Sequence, residues 1–358
     1  MVNVGVIGCG RISERRHVPE YSANPDAKII GYFDANRKRA EVLAAQYGGK
    51  VYDSVEDLLA DPSIDAVSVC VANNAHAEVT IKALNAGKHV LCEKPMAMTV
   101  ADCEAMVEAA KKNNRYLMIG QNQRYNTGHA RAKELIEQGI IGKPLTFKTC
   151  FSHGGPEHWA MGYDVSEKEA KNVWFFDKKL AAMGAMADLG IHKADLIQYL
   201  LNEKISEVTA KVMTLDKRGS DGKLIELEDN AICIFKMESG VVGTMTVSWT
   251  DYGDEENSTV IFGTKGQMRL YDIGGHTIEI STIRGDKIYY DLDAMMTNDN
   301  QQESGVIRRF VHGIETNEWT EAAGDMNVNA IRAVLAGFES SRRDCTIKLS
   351  EYKDCASL

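Results

Sequence analysis

Three ionisable side chains stand where they could handle a proton and a developing negative charge. The apolar run 90–92 stops at Glu93-Lys94-Pro95. Because proline cannot donate to a sheet ladder, the chain must leave its strand there, with Lys94 at the carboxyl end. Asp188 and His192 are four residues apart in a helical pattern, so they share one helix face. An ammonium can stabilise an alkoxide, and an imidazole held by a carboxylate can accept a proton.

The Asp188 and His192 pair also has a structural interpretation. Asp188 could cap the helix beside a buried histidine, as acidic residues at helix starts often do. The pair could instead contribute to a metal site, but no third ligand is marked by spacing, so we predict none.

A glycine-rich turn follows the first apolar run, residues 4–7. The sequence Gly8-Cys9-Gly10-Arg11-Ile12-Ser13 has the Gly-x-Gly-x-x-Gly pattern of dinucleotide-binding turns, with serine in the third place. Arg11 falls in the first helical turn, where the helix dipole disfavours a cation unless an anion is bound. A tight strand–helix turn with a solvated arginine is the alternative interpretation.

Asp34 ends the second predicted strand, at the distance from the turn where a carboxylate can hold a ribose diol. Such a carboxylate would repel a 2′-phosphate, which favours NAD over NADP. Arg37, Lys38 and Arg39 follow closely and could offset this repulsion, so NADP is not excluded.

The elements that must position these residues alternate over the first third of the chain. Predicted strands are 4–7, 29–33, 66–71, 90–92 and 116–119. Five helices are predicted between them: one starts near Arg11, one covers 37–47, one begins at Ser54 with a capping-box-like start, one ends near Ala86 and one begins at Thr99. Continuous apolar strands separated by helices predict a Rossmann-type, doubly wound parallel sheet over residues 1–122. Ligands of such sheets bind beyond the carboxyl ends of the strands.

The pattern changes after residue 122. Helices are predicted over 131–138 and 188–201, and strands over 145–150, 208–213, 231–237, 241–249, 260–262, 268–271 and 278–280. In 243–250 apolar residues alternate with Thr and Ser, which indicates a sheet with one buried face. We therefore predict an α+β domain over 123–358, with an open, mostly antiparallel sheet that binds substrate and mediates oligomerisation. The catalytic cleft is expected between the domains.

Composition limits the classes of function. The chain has 358 residues, 44% of them apolar, and a formal net charge of −10, which argues against nucleic acid or an anionic membrane as partner. No run approaches the roughly 18 to 20 apolar residues of a membrane span, and the start has no signal-peptide pattern. Several cysteines lie in apolar runs, as expected of reduced thiols in the cytoplasm.

Four segments together resemble a known family. The Gly8-x-Gly10 turn, residues 71–76, residues 86–95 ending in Glu-Lys-Pro, and Asp188-x-x-x-His192 occur in this order, as in the glucose–fructose oxidoreductase / inositol dehydrogenase (Gfo/Idh/MocA) family. The resemblance covers nearly the whole chain. It implies an oxidoreductase that acts on sugars or cyclitols with a nicotinamide cofactor.

The resemblance also implies roles for single residues. Lys94 would lie between nicotinamide and substrate hydroxyl, His192 would accept the proton, and Asp188 would contact substrate or histidine. The predicted cofactor contacts are Gly8, Gly10, Arg11, Ile12, Asp34, Arg37, Ala72, Asn73, His76, Glu93, Lys94 and Gln121. The predicted substrate contacts are Lys94, Arg124, Tyr125, His153, Trp159, Trp174, Asp188 and His192. Of these, His153, Trp159 and Trp174 are predicted because aromatic faces beside polar groups suit a sugar ring, and each is equally compatible with core or loop packing.

Two segments depart from the family pattern. Val71-Ala72-Asn73 stands where the family usually has Thr-Pro-Asn, and Ala182-Met183-Gly184 replaces a run of three glycines. Neither change removes a catalytic group, but the second could alter how closely the backbone approaches the substrate.

Three functions remain open. The first is a sugar or polyol dehydrogenase, the second an NAD-dependent glycoside hydrolase that oxidises its substrate transiently, and the third a non-catalytic, cofactor-sensing regulator. Intact Lys94, Asp188 and His192 argue against the third. We also predict a homodimer or homotetramer joined through the second domain's sheet, and a cis Lys94–Pro95 peptide bond.

Overall fold

The computed structural model describes residues 1–157, 173–272, 274–293 and 303–354. The chain divides into two compact units, Met1–Asn122 with Met296–Val328, and Gln123–Met295 with Asn329–Leu358. The predicted division assigned everything after residue 122 to the second domain, whereas the structure groups Met296–Val328 with the first unit.

The first unit is built on a parallel sheet that, over the described residues, has six strands. They are β1 (Val2–Ile7), β2 (Ala27–Phe33), β3 (Lys50–Val51), β4 (Ala66–Val69), β5 (His89–Cys92) and β6 (Leu117–Ile119), in the order β3-β2-β1-β4-β5-β6. Neighbouring strands pair in parallel. Strands β4 and β6 are buried along their whole length, as the continuous apolar runs predict. The predicted Rossmann-type fold is confirmed.

The helices connect the strands and cover the sheets. In chain order they are α1 (Val18–Ala23), α2 (Arg37–Tyr47), α3 (Val55–Ala60), α4 (His76–Asn85), α5 (Val100–Asn113), α6 (Thr127–Glu137), α7 (Lys178–Ala181), α8 (Ile191–Leu201), α9 (Val306–Thr316) and α10 (Asp325–Arg343). Local signals fix several ends. Ser54 and Thr99 cap α3 and α5 by accepting the N–H of Asp57 and Asp102. The predicted helix start at Ser54 is thus confirmed, and the Ser54 hydroxyl also donates to the Asp57 carboxylate at 2.6 Å.

Contacts inside the first unit explain why the later segment returns to it. The Glu20 carboxylate accepts the backbone N–H and the hydroxyl of Ser304, at 2.8 and 3.0 Å. The buried ring of Tyr116 stacks on Phe310 and on Trp319, with centroids 5.5 and 5.9 Å apart. These side chains are far from their partners in sequence, so no local pattern announces the contacts.

The second unit is built on a sheet that, over the described residues, has nine strands. They are β7 (Pro144–Ser152), β8 (Ile205–Met213), β9 (Asn230–Met237), β10 (Val242–Ser248), β11 (Thr259–Gly263), β12 (Gly266–Leu270), β13 (Ile278–Thr282), β14 (Lys287–Tyr290) and β15 (Ile347–Lys348), in the order β14-β13-β12-β11-β7-β10-β9-β8-β15. Neighbours are antiparallel except for the parallel pair β7 and β10. The predicted mostly antiparallel sheet is confirmed.

The sheet of the second unit has one buried and one open face. On β9, Cys233 and Phe235 are fully buried, while Ile232 and Ile234 are 52% and 46% exposed. Thr246 and Thr244 of β10 stand opposite these two isoleucines. The predicted alternation is therefore present, and the open face carries apolar side chains as well as threonines.

No helix in the described part of the chain is long and apolar enough to span a membrane.

Candidate active site

The two glycines of the turn after β1 have different tasks. Gly8 has φ +93°, and a Cβ there would lie 2.4 Å from the carbonyl oxygen of Cys70. A Cβ on Gly10 would meet nothing within 4 Å, so the backbone there is open to an approaching group. Ser13, in the third place of the motif, is fully buried and donates its hydroxyl to the Gly8 carbonyl at 2.5 Å. Serine thus stabilises the turn from inside.

Asp34 is half-buried at the end of β2 and is tied to this turn. One carboxylate oxygen accepts the N–H of Cys9 and the other accepts the N–H of Asn36, both at 2.7 Å. A carboxylate oxygen has further lone pairs, so the predicted ribose contact is compatible with these bonds. Arg37 forms ion pairs with Glu41 and Asp53, and all three side chains are exposed. Those pairs compete with the predicted cofactor contact of Arg37.

A π-helical segment, Ser13–His17, follows the turn and precedes α1. The sequence predicted an ordinary helix from about Arg11. Arg11 is half-buried, and burial lowers the pKa of its guanidinium. Single π-helical turns within helices often occur at functional sites. Here the segment ends on His17, a fully buried histidine that the sequence pattern did not single out.

His17 pairs with the glutamate of the Glu-Lys-Pro motif. Its Nε2 lies 2.8 Å from Oε1 of Glu93, and both residues are buried. Burial opposes protonation of His17, but the Cys70 sulfur and the Glu93 carboxylate outweigh it and raise the pKa of the imidazole to about 10. Burial likewise opposes ionisation of Glu93, yet its hydrogen bond to His17 and the charge of His17 lower the pKa of that carboxyl to about 2. Both groups are therefore charged near neutral pH.

The turn that carries Lys94 follows β5 directly. The Lys94–Pro95 peptide bond is cis, as predicted. The second oxygen of Glu93 accepts the N–H of Lys94 at 3.2 Å. His76, predicted as a cofactor contact, is buried, and its Nδ1 lies 2.7 Å from the carbonyl oxygen of Pro95. Its Nε2 lies 3.1 Å from the Val71 carbonyl oxygen, and burial lowers the pKa of the His76 imidazole.

The remaining predicted cofactor residues lie along the same sheet edge. Ala72 and Asn73 follow β4, and Asn73 is buried at the start of a short 3₁₀ turn, Asn73–Ala75. Gln121 is buried just after β6. They are near the carboxyl ends of neighbouring parallel strands, where ligands of this sheet type bind.

In the second unit, Asp188 lies in another π-helical segment, Met186–Gly190, which leads into α8. The predicted single α-helix over 188–201 therefore begins as an α-helix only at Ile191. Trp249, at the end of β10, donates its indole N–H to Oδ2 of Asp188 at 3.1 Å. Nε2 of His153, just after β7, faces the same oxygen at 3.9 Å. His153 Nδ1 accepts the N–H of Gly155, so the proton of the neutral ring is on Nε2.

His192 is buried in the first turn of α8, and its ring lies 6.0 Å from that of Phe151. The same phenylalanine packs edge-on against His153, at 5.9 Å. Phe151 thus contacts both predicted substrate histidines, which lie in the same part of the second unit as Asp188.

Glu228 holds the segment before Asp188. Its carboxylate accepts the backbone N–H of Gly184 and of Met186, at 2.7 and 2.9 Å. Burial raises the pKa of this carboxyl to about 7, although the two N–H groups favour the ionised form. A Cβ on Gly184 would lie 2.0 Å from the Glu228 carbonyl oxygen, so the one glycine kept from the family's run of three is required here.

Arg124 is engaged inside the second unit. Its guanidinium grips the buried Asp195 in two hydrogen bonds, of 2.6 and 2.5 Å. Such a pair is costly to break. The predicted contact of Arg124 with substrate therefore stays a prediction that competes with a structural role. Tyr125 is half-buried in the 3₁₀ turn Asn122–Tyr125.

The predicted aromatic contacts divide into two cases. Trp174 is half-buried, and its ring lies 4.0 Å from that of Phe175, which in turn packs on Trp249 at 6.5 Å. Trp174 is thus two rings away from the Asp188 carboxylate. Trp159 lies outside the described residues.

Comparison with known proteins agrees with this arrangement. Residues 2–121 match the group described as "Oxidoreductase family, NAD-binding Rossmann fold", and residues 129–269 match the "GFO/IDH/MocA C-terminal domain". Myo-inositol 2-dehydrogenase of Thermotoga maritima is 26% identical over 98% of this chain and 99% of its own. Inositol 2-dehydrogenase 3 of Saccharopolyspora erythraea is 31% identical over 76% of this chain and 73% of its own. The chain belongs to the GFO/IDH/MocA family.

A solved structure supports the same conclusion. Aldose–aldose oxidoreductase from Caulobacter crescentus, complexed with glycerol, superposes with a TM-score of 0.80 at 25% identity, over 97% of this chain and 99% of its own. The predicted family, fold and class, an NAD-binding oxidoreductase, are thereby confirmed.

Three residues of this GFO/IDH/MocA oxidoreductase escaped the sequence analysis: His17, Glu228 and Trp249. Each acts on a motif residue from a distant part of the chain, so no spacing rule finds it. The available signal was chemical. A tryptophan or glutamate next to an alternating, half-buried strand needs a hydrogen-bond partner when it is buried.

Proposed function

We propose that this oxidoreductase transfers hydride between NAD and a hydroxyl carbon of a sugar, sugar derivative or cyclitol. The two inositol dehydrogenases among its relatives support a cyclitol or sugar as substrate.

The position of Lys94 carries the proposal. It lies on the turn after β5, at the carboxyl end of a strand that has a parallel neighbour on each side. Cofactors of such sheets bind at this edge. An ammonium there can stabilise negative charge that develops on a substrate oxygen, because it is fixed before the charge appears.

The first unit fits the cofactor. The open backbone at Gly10 admits a pyrophosphate, and Gly8 and Ser13 keep the turn in shape. When bound, NAD accepts the hydride that leaves the carbinol carbon. Asp34 would hold the ribose diol, which favours NAD over NADP because a 2′-phosphate would meet a carboxylate.

The second unit supplies the base. We assign His192 as the acceptor of the substrate's hydroxyl proton, since a neutral imidazole can take it near neutral pH. Asp188, held by Trp249, contacts the substrate or orients His192. Lys94 stabilises the alkoxide that results.

The test is a panel of cyclitols, aldoses and glycosides incubated with the purified protein and NAD, with NADH absorbance and aglycone release followed together. Stoichiometric NADH without aglycone release supports the dehydrogenase. Aglycone release without net NADH would favour the glycoside hydrolase instead. Neither product, from a protein that binds NAD, would overturn the proposal in favour of a regulator.

A further inference from the structure

The turn that presents Lys94 is held on both sides by buried histidines. On one side His17 bonds Glu93, whose other oxygen accepts the N–H of Lys94 itself. On the other side His76 bonds the carbonyl of Pro95. A Cβ on Gly120 would lie 3.1 Å from a carboxylate oxygen of Glu93. The Glu93 carboxylate therefore fills the space beside this glycine.

His17 is fixed in turn by residues behind it. Its Nδ1 lies 3.1 Å from the hydroxyl of Ser68, and Tyr21 contacts the same hydroxyl at 2.9 Å. His17, Ser68 and Tyr21 are at most 1% exposed. With Nε2 on Glu93 and Nδ1 on Ser68, both ring nitrogens have a partner that can accept, which suits the doubly protonated ring.

Burying two charges is costly unless they are paired and hydrogen-bonded, and the pair adds stability only with good geometry. The His17–Glu93 pair meets that condition. An apolar pair would fill the same space without the cost, so the charges have a use other than filling the core. The Glu93 carboxylate connects this pair to the proposed chemistry, because it accepts the Lys94 N–H.

We propose that His17 is a positioning residue for Lys94, and that it acts as an imidazolium through the Glu93 carboxylate. The inference rests on the role proposed for Lys94. His17 also ends the π-helical segment that starts at Ser13, whose hydroxyl braces the nucleotide-binding turn. One short segment therefore supports the turn at its start and the Lys94 backbone at its end.

Three variants and a control separate this role from simple stability. H17L removes the bond to Glu93, H17Q keeps an N–H donor for it, and H17L/E93Q removes both charges so that no buried charge is left alone. H89L is the matched control. His89 begins the same strand, β5, at the end away from Lys94, and its ring accepts the N–H of Tyr116.

Two measurements report on Lys94: one needs no turnover, and the other measures turnover itself. Trace acetylation with acetic anhydride, followed by mass spectrometry, gives the relative reactivity of the Lys94 amine and needs no substrate. Turnover is measured with NAD and myo-inositol, or with whichever polyol of the panel the parent protein oxidises. Calorimetry gives the NAD affinity, and thermal melting shows that each variant folds.

We expect H17L and H17L/E93Q to lower kcat about 100-fold, and H17Q to retain about a tenth of the parent kcat. The NAD affinity of each variant should stay within about 3-fold of the parent's. Lys94 acetylation in H17L/E93Q rises about 3-fold because the turn loosens, whereas H89L leaves it at the parent level. Folded H17L/E93Q with parent Lys94 reactivity would overturn the inference. If no polyol is oxidised, the proposed function fails, and the acetylation result still decides the positioning role.

Discussion

Trp249 donates its indole N–H to a carboxylate oxygen of Asp188 at 3.1 Å, and both side chains are buried. An indole can only donate, so this contact favours the ionised carboxylate and fixes its orientation. Nε2 of His153 faces the same oxygen at 3.9 Å. Residues from the ends of two parallel neighbours, β7 and β10, thus converge on the aspartate of the Asp-x-x-x-His motif.

Replacing Trp249 by phenylalanine should therefore impair catalysis more than folding. W249F keeps an aromatic ring against Phe175 and Phe176 but removes the donor to Asp188. A hydrogen bond to a charged group contributes about 1.5 to 3 kcal/mol, so we expect kcat/KM to fall about 10-fold. Steady-state kinetics on the polyol oxidised by the parent would measure it.

W319F is the control for that substitution. Trp319 stacks on Tyr116 in the first unit, and the structure gives no hydrogen-bond partner for its indole nitrogen among the described residues. Its replacement should leave kcat/KM near the parent value. Equal losses in W249F and W319F would show that the Trp249 effect is one of general packing.

Most of the fold was predictable because it rests on local patterns. Helix α2 runs over 37–47 as predicted, and the capped starts of α3 and α5 depend on a hydroxyl and an N–H three residues apart. The parallel sheet follows from continuous apolar runs. The same reasoning missed α9, whose place is set by Tyr116, almost 200 residues earlier in the chain.

The candidate site divides in the same way. Lys94, Asp188 and His192 belong to compact motifs, so sequence spacing finds them. The residues that hold those motifs in place come from distant parts of the chain, so sequence spacing does not find them. Glu93 was predicted as a cofactor contact, and in the structure its carboxylate bonds His17, 76 positions away in the chain. Arg124 looked available for substrate, but Asp195 lies against it because helix α8 brings it there.

Cofactor choice should depend on Asp34. We expect the parent protein to bind NAD more tightly than NADP. In Asp34→Ala the ratio of the NAD affinity to the NADP affinity should fall by about 10-fold, because the carboxylate that repels the 2′-phosphate is lost. Calorimetric titration with both nucleotides would measure it. Asp34 also accepts the N–H of Cys9 and Asn36, so Asp34→Asn, which keeps an acceptor, is the companion variant. Equal or tighter NADP binding by the parent would point to Arg37, Lys38 and Arg39 instead.

The His17–Glu93 pair should make stability depend on pH. The folded pKa of Glu93, about 2, lies below its ordinary 4.5, so its contribution is complete above pH 4.5 and is lost as pH falls toward 2. The folded pKa of His17, about 10, lies above its ordinary 6.5, so its contribution is complete below pH 6.5 and is lost as pH rises toward 10. Both contributions are complete only between pH 4.5 and 6.5.

Thermal melting of the parent and of H17L/E93Q across pH would measure this dependence. The difference in Tm should favour the parent most between pH 4.5 and 6.5 and shrink by about 3 °C or more toward pH 10. Arg16 and Cys70, which also lie beside this pair, are present in both proteins. A Tm difference that stays constant from pH 6.5 to 10 would contradict the assigned charges.

The open face of the second unit's sheet should mediate self-association. We propose a homodimer or homotetramer joined through Ile232, Ile234 and the threonines opposite them on β10. Light scattering at micromolar concentration should give a multiple of the 39.5 kDa chain, and Ile234→Lys should shift it toward the monomer. Val42→Lys, an exposed apolar residue on α2, is the control and should change nothing. A monomeric parent protein would end the proposal.

The proposed mechanism makes the most demanding prediction. If His192 accepts the proton, His192→Ala should lose about 100-fold or more in turnover while NAD affinity stays within a few fold, because the change removes the base and not the cofactor site. Lys94→Ala should be similarly severe. Lys94→Arg should not rescue it, since a planar guanidinium cannot replace a compact ammonium between ring and hydroxyl. Asp188→Asn should affect turnover more than binding if Asp188 orients His192.

The pH profile adds an independent check. Oxidation requires the neutral imidazole, so kcat/KM of the parent should fall as the solution becomes acidic, and His192→Ala should flatten that limb in its residual activity. His129→Ala is the comparison. His129 is another buried histidine of the second unit, its ring donates to the Gln123 carbonyl, and burial lowers its pKa to about 3. It cannot give an acid limb near neutral pH, so its variant should keep the parent's profile. Near-normal turnover in His192→Ala, on a substrate that the parent oxidises well, would remove His192 from the mechanism. The proton acceptor would then be sought at His153, whose Nε2 faces Asp188.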